Sequence, residues 1–225
     1  MLRLALLILL LSACARPLTP GERNFVASVH GPALDTSRVR VHRGALIGNL
    51  THERPARPAK ACRERIRPEE TGTVKGSIAA LVVFNRIFYA KRYFLSDFLA
   101  DYPEAMQLED AMLLAHELTH VWQWQQRETT GYHPFLAASE HRPGGDPYLF
   151  ELDADLTFDD FGYEQQGSLV EEFVCCRALD PDGDRTRRLY DILKPVFPAL
   201  SPRSPVPQDG IALFWSQAPR KGICS

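Results

Sequence analysis

The chain has 225 residues, 45% hydrophobic and 24% charged, a globular composition that excludes a fibrous or disordered protein. Its 26 basic and 28 acidic residues leave a formal charge of −2, so there is no one-signed field of the kind nucleic-acid binding requires. The length predicts one domain, or one domain with appendages, large enough to bury a core without relying on disulfides alone.

Met1 and Arg3 precede an unbroken apolar run, Leu4 to Leu11. The run is far shorter than the roughly 20 residues that span a bilayer, and its flanks fit a secretory signal core. Leu11-Ser12-Ala13-Cys14 resembles the bacterial lipobox. That resemblance implies cleavage before Cys14 and acylation of its sulfur and its new amino group, several chains together making a stable anchor. By resemblance to known lipoproteins, Ala15 after the cysteine implies the outer membrane. The expected organisation is a signal peptide over 1–13, a domain over 14–195 and a Pro-rich tail over 196–225, lipid-anchored at Cys14 in the cell envelope.

Thr19-Pro20-Gly21-Glu22 reads as a helix start, with Thr19 as N-cap, Pro20 at the first position and Glu22 closing a capping box. The helix should run to about His30 and stop at Gly31-Pro32. Val39 and Val41 alternate with charged residues, a short strand. Residues 49–68 dissolve into Pro, Arg and Glu and read as a surface loop holding Cys62. Ala79 to Phe84 reads as a strand, turning at Asn85-Arg86 into a second over Ile87 to Tyr89. Residues 104–127 form the strongest helix, stopped by Thr129-Thr130-Gly131. A long loop over 131–147 follows, then a short strand at Tyr148–Phe150, a helix over Glu164–Cys176 and a last helix over Arg187–Leu193. The tail after Pro195 reads as extended coil.

Four cysteines remain after Cys14: Cys62, Cys175, Cys176 and Cys224. In an exported chain they predict two disulfides out of three possible pairings. Cys175 and Cys176 are adjacent, so each is expected to take one distant partner. A second zinc site is the alternative, without a CxxC spacing to support it.

The chemistry lies in His116-Glu117-Leu118-Thr119-His120. Helix residues four apart sit one turn above each other, so both imidazoles can reach one Zn2+. Glu117 then stands beside that pair as the general base of a metallopeptidase. Catalytic zinc takes three protein ligands, and no third His follows at the metzincin spacing. A later carboxylate is therefore needed. Glu164 is one candidate, with the small Gly167 allowing its helix to approach closely. Glu151, in Glu-Leu-Asp-Ala-Asp, is the other.

HELTHVWQWQ followed by FGYEQQGSLVEEF resembles the gluzincin-like zinc metallopeptidases found in bacteria beside Rhs and type VI secretion spike proteins. LTPGERNFVASVHG, LDTSRVRVHRG and FNRIFY extend the resemblance to about residues 18–178. It implies an α+β zincin-like domain with a small sheet packed on the helix of His116 and on a later helix. It also implies Glu164 rather than Glu151 as the third ligand, since the Glu of Glu-Gln-Gln is the recurring carboxylate. The lipobox, the cysteines and the Pro-rich tail depart from that family. The expected function is zinc-dependent cleavage of protein or peptide substrates, most simply as an endopeptidase. Here Asn85 to Tyr89 would be an edge strand above the zinc helix, along which the substrate extends by strand addition. The alternative is a non-catalytic zinc-binding envelope lipoprotein.

Other residues carry weaker expectations. Trp122 and Trp124 cannot both face the core. Tyr132, His133, Tyr148 and Tyr163 are candidate donors to an oxyanion. Asp153, Asp155, Asp159 and Asp160 form an acidic run without EF-hand spacing.

Overall fold

The computed structural model describes residues 15–44, 51–142, 145–152, 155–218, 220 and 222–225. The expected signal segment with Cys14, and Asp153 of the acidic run, lie outside them.

The chain opens with β1 (Ala15–Arg16) and α1 (Pro20–Val29). Thr19 caps α1 with the full reciprocal capping box to Glu22, an arrangement worth about 1 kcal/mol. Strand β2 (Arg40–Arg43) follows, then β3 (Thr51–Pro55), α2 (Cys62–Arg65) and β4 (Thr73–Ser77). The region expected to be loop over 49–68 therefore holds a strand and a helical turn. β3 and β4 form a separate antiparallel ribbon, and the polar Thr-His-Glu-Arg of β3 hides it from apolar periodicity.

The hairpin of β5 (Ala80–Val83) and β6 (Arg86–Tyr89) forms as expected, with Phe84 at a positive φ of 59° in its turn. The main sheet has the order β1-β2-β6-β5. The strand at Asn85 to Tyr89 is thus not an edge, because β2 captures β6 in parallel register, Val41 opposite Ile87. The edge beside the long helix is β5.

That helix, α3 (Leu108–Gln125), is preceded by β7 (Met106–Gln107), which shortens the expected start. β7 pairs in parallel with β8 (Ile211–Ala212) from the tail. α3 packs on β5, β6 and the later helix, and buries residues on every side. α4 (Arg127–Thr130) ends at Gly131, whose φ of 65° gives the left-handed stop. The long loop contains α5 (Pro134–Ser139). No strand forms at Tyr148–Phe150. There Asp146 accepts from the Tyr148 N–H and Gln165 donates to the Leu149 carbonyl, so side chains take the groups a ladder would use. α6 (Tyr163–Leu179) and α7 (Asp184–Leu193) complete the helices.

The result is a single α+β domain whose one core joins Val41, Val82 and Ile87 of the sheet to Leu114, Leu118 and Val121 of α3 and Val170 and Phe173 of α6. The tail contributes to the same core through Phe197, Leu200, Val206 and Ile223. Disulfides Cys62–Cys175 and Cys176–Cys224 follow the expected pattern, one distant partner for each adjacent cysteine. They span 113 and 48 residues, and chain entropy assigns such loops about 4–5 kcal/mol each. Among the described residues no helix is long and apolar enough to cross a membrane.

Candidate metal centre

α3 carries His116 and His120 one turn apart, with their rings edge to face at 5.0 Å. Their Nε2 atoms converge to 3.2 Å. α6 brings Glu164 across, its Oε2 3.3 Å from each Nε2. These three side chains form a buried group able to hold a metal ion. The spacing fits the chemistry, since tetrahedral ligands about 2.0–2.1 Å from a zinc ion lie about 3.3 Å from one another.

The neighbouring chain makes this convergence possible. Glu140 accepts from the backbone N–H groups of Tyr163 and Glu164 with its two oxygens, at 2.9 Å each. It thereby fixes the first turn of α6 and favours it as a negative charge at a helix N-terminus. Gly167 lies one turn beyond Glu164 against the His116 ring. On the far side of α3, Thr119 donates to the Ala115 carbonyl and accepts from Nε2 of the buried His30. Burial, and then Arg177, lower the His30 pKa to about 3, so that ring is a neutral anchor.

The outer nitrogens of the two histidines are treated differently. His120 Nδ1 donates to Gln123 Oε1 at 2.8 Å. Gln123 in turn donates to Gln166 Oε1 and to the Tyr163 carbonyl, which fixes its amide orientation and leaves His120 Nε2 as the inward lone pair. His116 Nδ1 faces Glu171 Oε2 at 3.4 Å, and this contact is off the hydrogen-bond direction, so Nδ1 has no well-formed partner.

Charge is concentrated here. Burial alone would lower the His116 pKa, but Glu164 and Glu171 outweigh it and push it up to about 10. Burial likewise opposes, and the Glu164 carboxylate produces, the raised His120 value. Burial would raise Glu164, yet the two imidazoles hold it well below the usual range. Glu117 is buried and its carboxylate makes no hydrogen bond among the described residues. Burial raises its pKa, the two histidines oppose that, and Glu164 and Glu171 add to it.

Of the two candidate third ligands, the structure brings Glu164 to the histidines. Glu151 pairs with Lys60 at 3.1 Å, with 72% of its side chain exposed. Tyr132 stacks on His120 at 6.1 Å and Tyr148 lies 5.7 Å from His116. Tyr163 donates to the Thr130 carbonyl and His133 accepts from the Phe135 N–H, so those two are committed elsewhere. Trp122 packs on Phe197 in the core, while the half-buried Trp124 meets Phe84 at the end of β5. Asp160 accepts from Thr157, and the aspartates after 152 form no metal-binding group among the described residues.

Sequence reasoning missed Glu140, His141, Glu171 and Gln123. His141 Nε2 lies 2.9 Å from the Tyr148 hydroxyl and 3.9 Å from Glu164 Oε1, outside the three-donor group. Glu171 sits seven residues after Glu164 on the same helix, a two-turn spacing that places both on one face.

No family model matches the chain, and no curated protein matches it. Among solved structures, the effector domain of Pseudomonas aeruginosa VgrG2b is similar, at 19% identity and a TM-score of 0.48 over 78% of this chain and 80% of the other.

Proposed function

We propose that this protein is a zinc-dependent peptidase of zincin-like architecture acting at the bacterial cell envelope. One observation carries the reading: Nε2 of His116, Nε2 of His120 and Oε2 of Glu164 stand 3.2–3.3 Å from one another, as zinc ligands would. Bound there, zinc would polarise a substrate carbonyl and lower the pKa of a water to about 7. Glu117 is the residue that takes the water's proton. Its buried carboxylate makes no hydrogen bond among the described residues, which leaves it available to a water. Tyr148 and His141, joined at 2.9 Å, would be the donors to the developing oxyanion. The β5 edge offers an extended substrate a free strand to pair with.

The alternative, a zinc site that only staples the fold, has no use for Glu117. The two disulfides support an oxidising compartment, in keeping with export and with a lipid on Cys14. The test is hydrolysis of a broad peptide library by the soluble chain beginning after Cys14, read by mass spectrometry. Cleavage that a chelator abolishes and added zinc restores supports the reading. Cleavage indifferent to the chelator refutes it.

A further inference from the structure

Behind His116, away from the three donor atoms, α2 is fastened to α6. The Cys62 and Arg63 N–H groups donate to the fully buried carboxylate of Glu172 at 2.8 and 3.2 Å. The Cys62–Cys175 disulfide joins the same two helices. This turn presents Arg63, only 4% exposed, to the rear of the metal group. Its guanidinium lies 3.6 Å from Glu171 Oε2, bonds Glu64 at 2.7 Å and donates to the Tyr148 carbonyl at 2.6 Å. Glu171 Oε2 is also the atom that faces His116 Nδ1 at 3.4 Å. One buried arginine therefore holds both the carboxylate behind His116 and the residue whose ring borders it.

An imidazole that gives Nε2 to a metal carries its proton on Nδ1, and an acceptor there fixes both the tautomer and the ring rotation. His120 has such an acceptor in Gln123. For His116 the acceptor that faces Nδ1 is Glu171 Oε2, at 3.4 Å. Resting on the metal reading above, we propose that Glu171, seated by Arg63 on the disulfide-fastened turn α2, is a positioning residue that holds His116 for the metal. It follows that the Cys62–Cys175 bridge acts on metal retention through Arg63 and Glu171, although neither sulfur approaches the metal group.

The test measures how fast zinc leaves the full mature domain, both disulfides intact, for a chromogenic chelator. Outer-shell partners of metal-bound histidines typically contribute about 10–100-fold in affinity. Glu171→Gln keeps the shape of the side chain but removes its charge, and should release zinc about 10–100-fold faster. Arg63→Gln should move in the same direction, and Glu151→Gln should leave the rate at the wild-type value. Reducing the disulfides with a phosphine should speed release from the wild type but add little in Glu171→Gln, because the connection is already broken there. Near-ultraviolet circular dichroism of the metal-free forms separates loss of positioning from loss of fold. Should either variant misfold, nitrogen NMR of the zinc-loaded wild type still decides. An Nδ1-bound proton on His116 slow to exchange with water supports the proposal, and a metal on Nδ1 or a fast-exchanging proton overturns it. An unchanged release rate in a folded Glu171→Gln overturns this proposal alone. A wild type that takes up no zinc overturns it together with the reading on which it rests.

Discussion

A β-carbon at Gly167 would stand 2.8 Å from Cε1 of His116 and 3.0 Å from its Nδ1. The absent side chain of α6 is therefore the space in which His116 of α3 sits. Gly167→Ala must displace an imidazole that Glu164 contacts at Nε2 and that Glu171 faces at Nδ1. Alanine is the better helix former by about 1 kcal/mol, while overpacking a tight contact costs about 1–3 kcal/mol. The expected outcome is a domain of little changed or slightly reduced stability with sharply reduced zinc content, read by denaturant unfolding and elemental analysis. Full zinc occupancy in Gly167→Ala would show that the close approach has no bearing on the site.

Glu164 and Glu151 make a matched pair for testing the third ligand. Glu164→Ala removes one of three converging donors, and Glu151→Ala removes a surface partner of Lys60. An exposed ion pair is worth about 0–1 kcal/mol. Zinc measured after purification without chelator should be lost from Glu164→Ala and kept at about one per chain in Glu151→Ala. The reverse order would overturn the ligand assignment.

Stability should depend on pH in opposite ways with and without metal. In the metal-free protein His116 is raised from 6.5 to about 10, so its contribution is complete below 6.5 and is lost as pH rises towards 10. Glu171 is lowered from 4.5 to about 2, so its contribution is present above 4.5 and is lost as pH falls towards 2. Glu117 is raised from 4.5 by burial, so its contribution is present below 4.5 and is lost as pH rises above that value. Zinc binds only the deprotonated imidazoles and replaces their protons. The increase in Tm caused by zinc should therefore grow between about pH 6 and pH 9. A zinc-induced increase that is flat across that interval would contradict the protonated metal-free cluster.

Much of the site was legible because a helix fixes its own neighbours. The four-residue spacing of His116 and His120 needs no knowledge of the rest of the fold, and the capping box at Thr19 and the stop at Gly131 are equally local. Choosing Glu164 over Glu151 was different. Spacing left both open, and the Glu-Gln-Gln resemblance favoured the residue that the structure brings to the histidines. Glu140 and Arg63 were not legible, because each acts across a long-range contact that no local pattern announces. The edge strand was misplaced for a similar reason. A hairpin pattern shows that β5 and β6 pair but not which of them β2 joins. β3 was missed because a mostly solvent-facing ribbon leaves no apolar alternation to read.

Anchoring is an independent prediction from the first segment. If Cys14 carries the lipid, Cys14→Ser should move the protein out of the membrane fraction or leave its signal peptide uncleaved, as seen by fractionation and intact-mass measurement. Several acyl chains hold a protein to a bilayer and none does so once the thiol is gone. A processed, membrane-bound Cys14→Ser product would contradict the lipobox reading.

Glu117→Gln addresses the central claim, that this centre hydrolyses peptide bonds with Glu117 as base. Glutamine matches glutamate in shape and cannot accept the proton from water. Because Glu117 is not one of the three converging donors, zinc content should stay at the wild-type level. Removing a general base typically costs about 10²–10⁴-fold in rate. The decisive measurement compares kcat of wild type and Glu117→Gln, both zinc-loaded, on whichever library peptide the wild type cleaves fastest. A fall of about 10²-fold or more with zinc retained is the predicted result. Equal rates in the two proteins would contradict it.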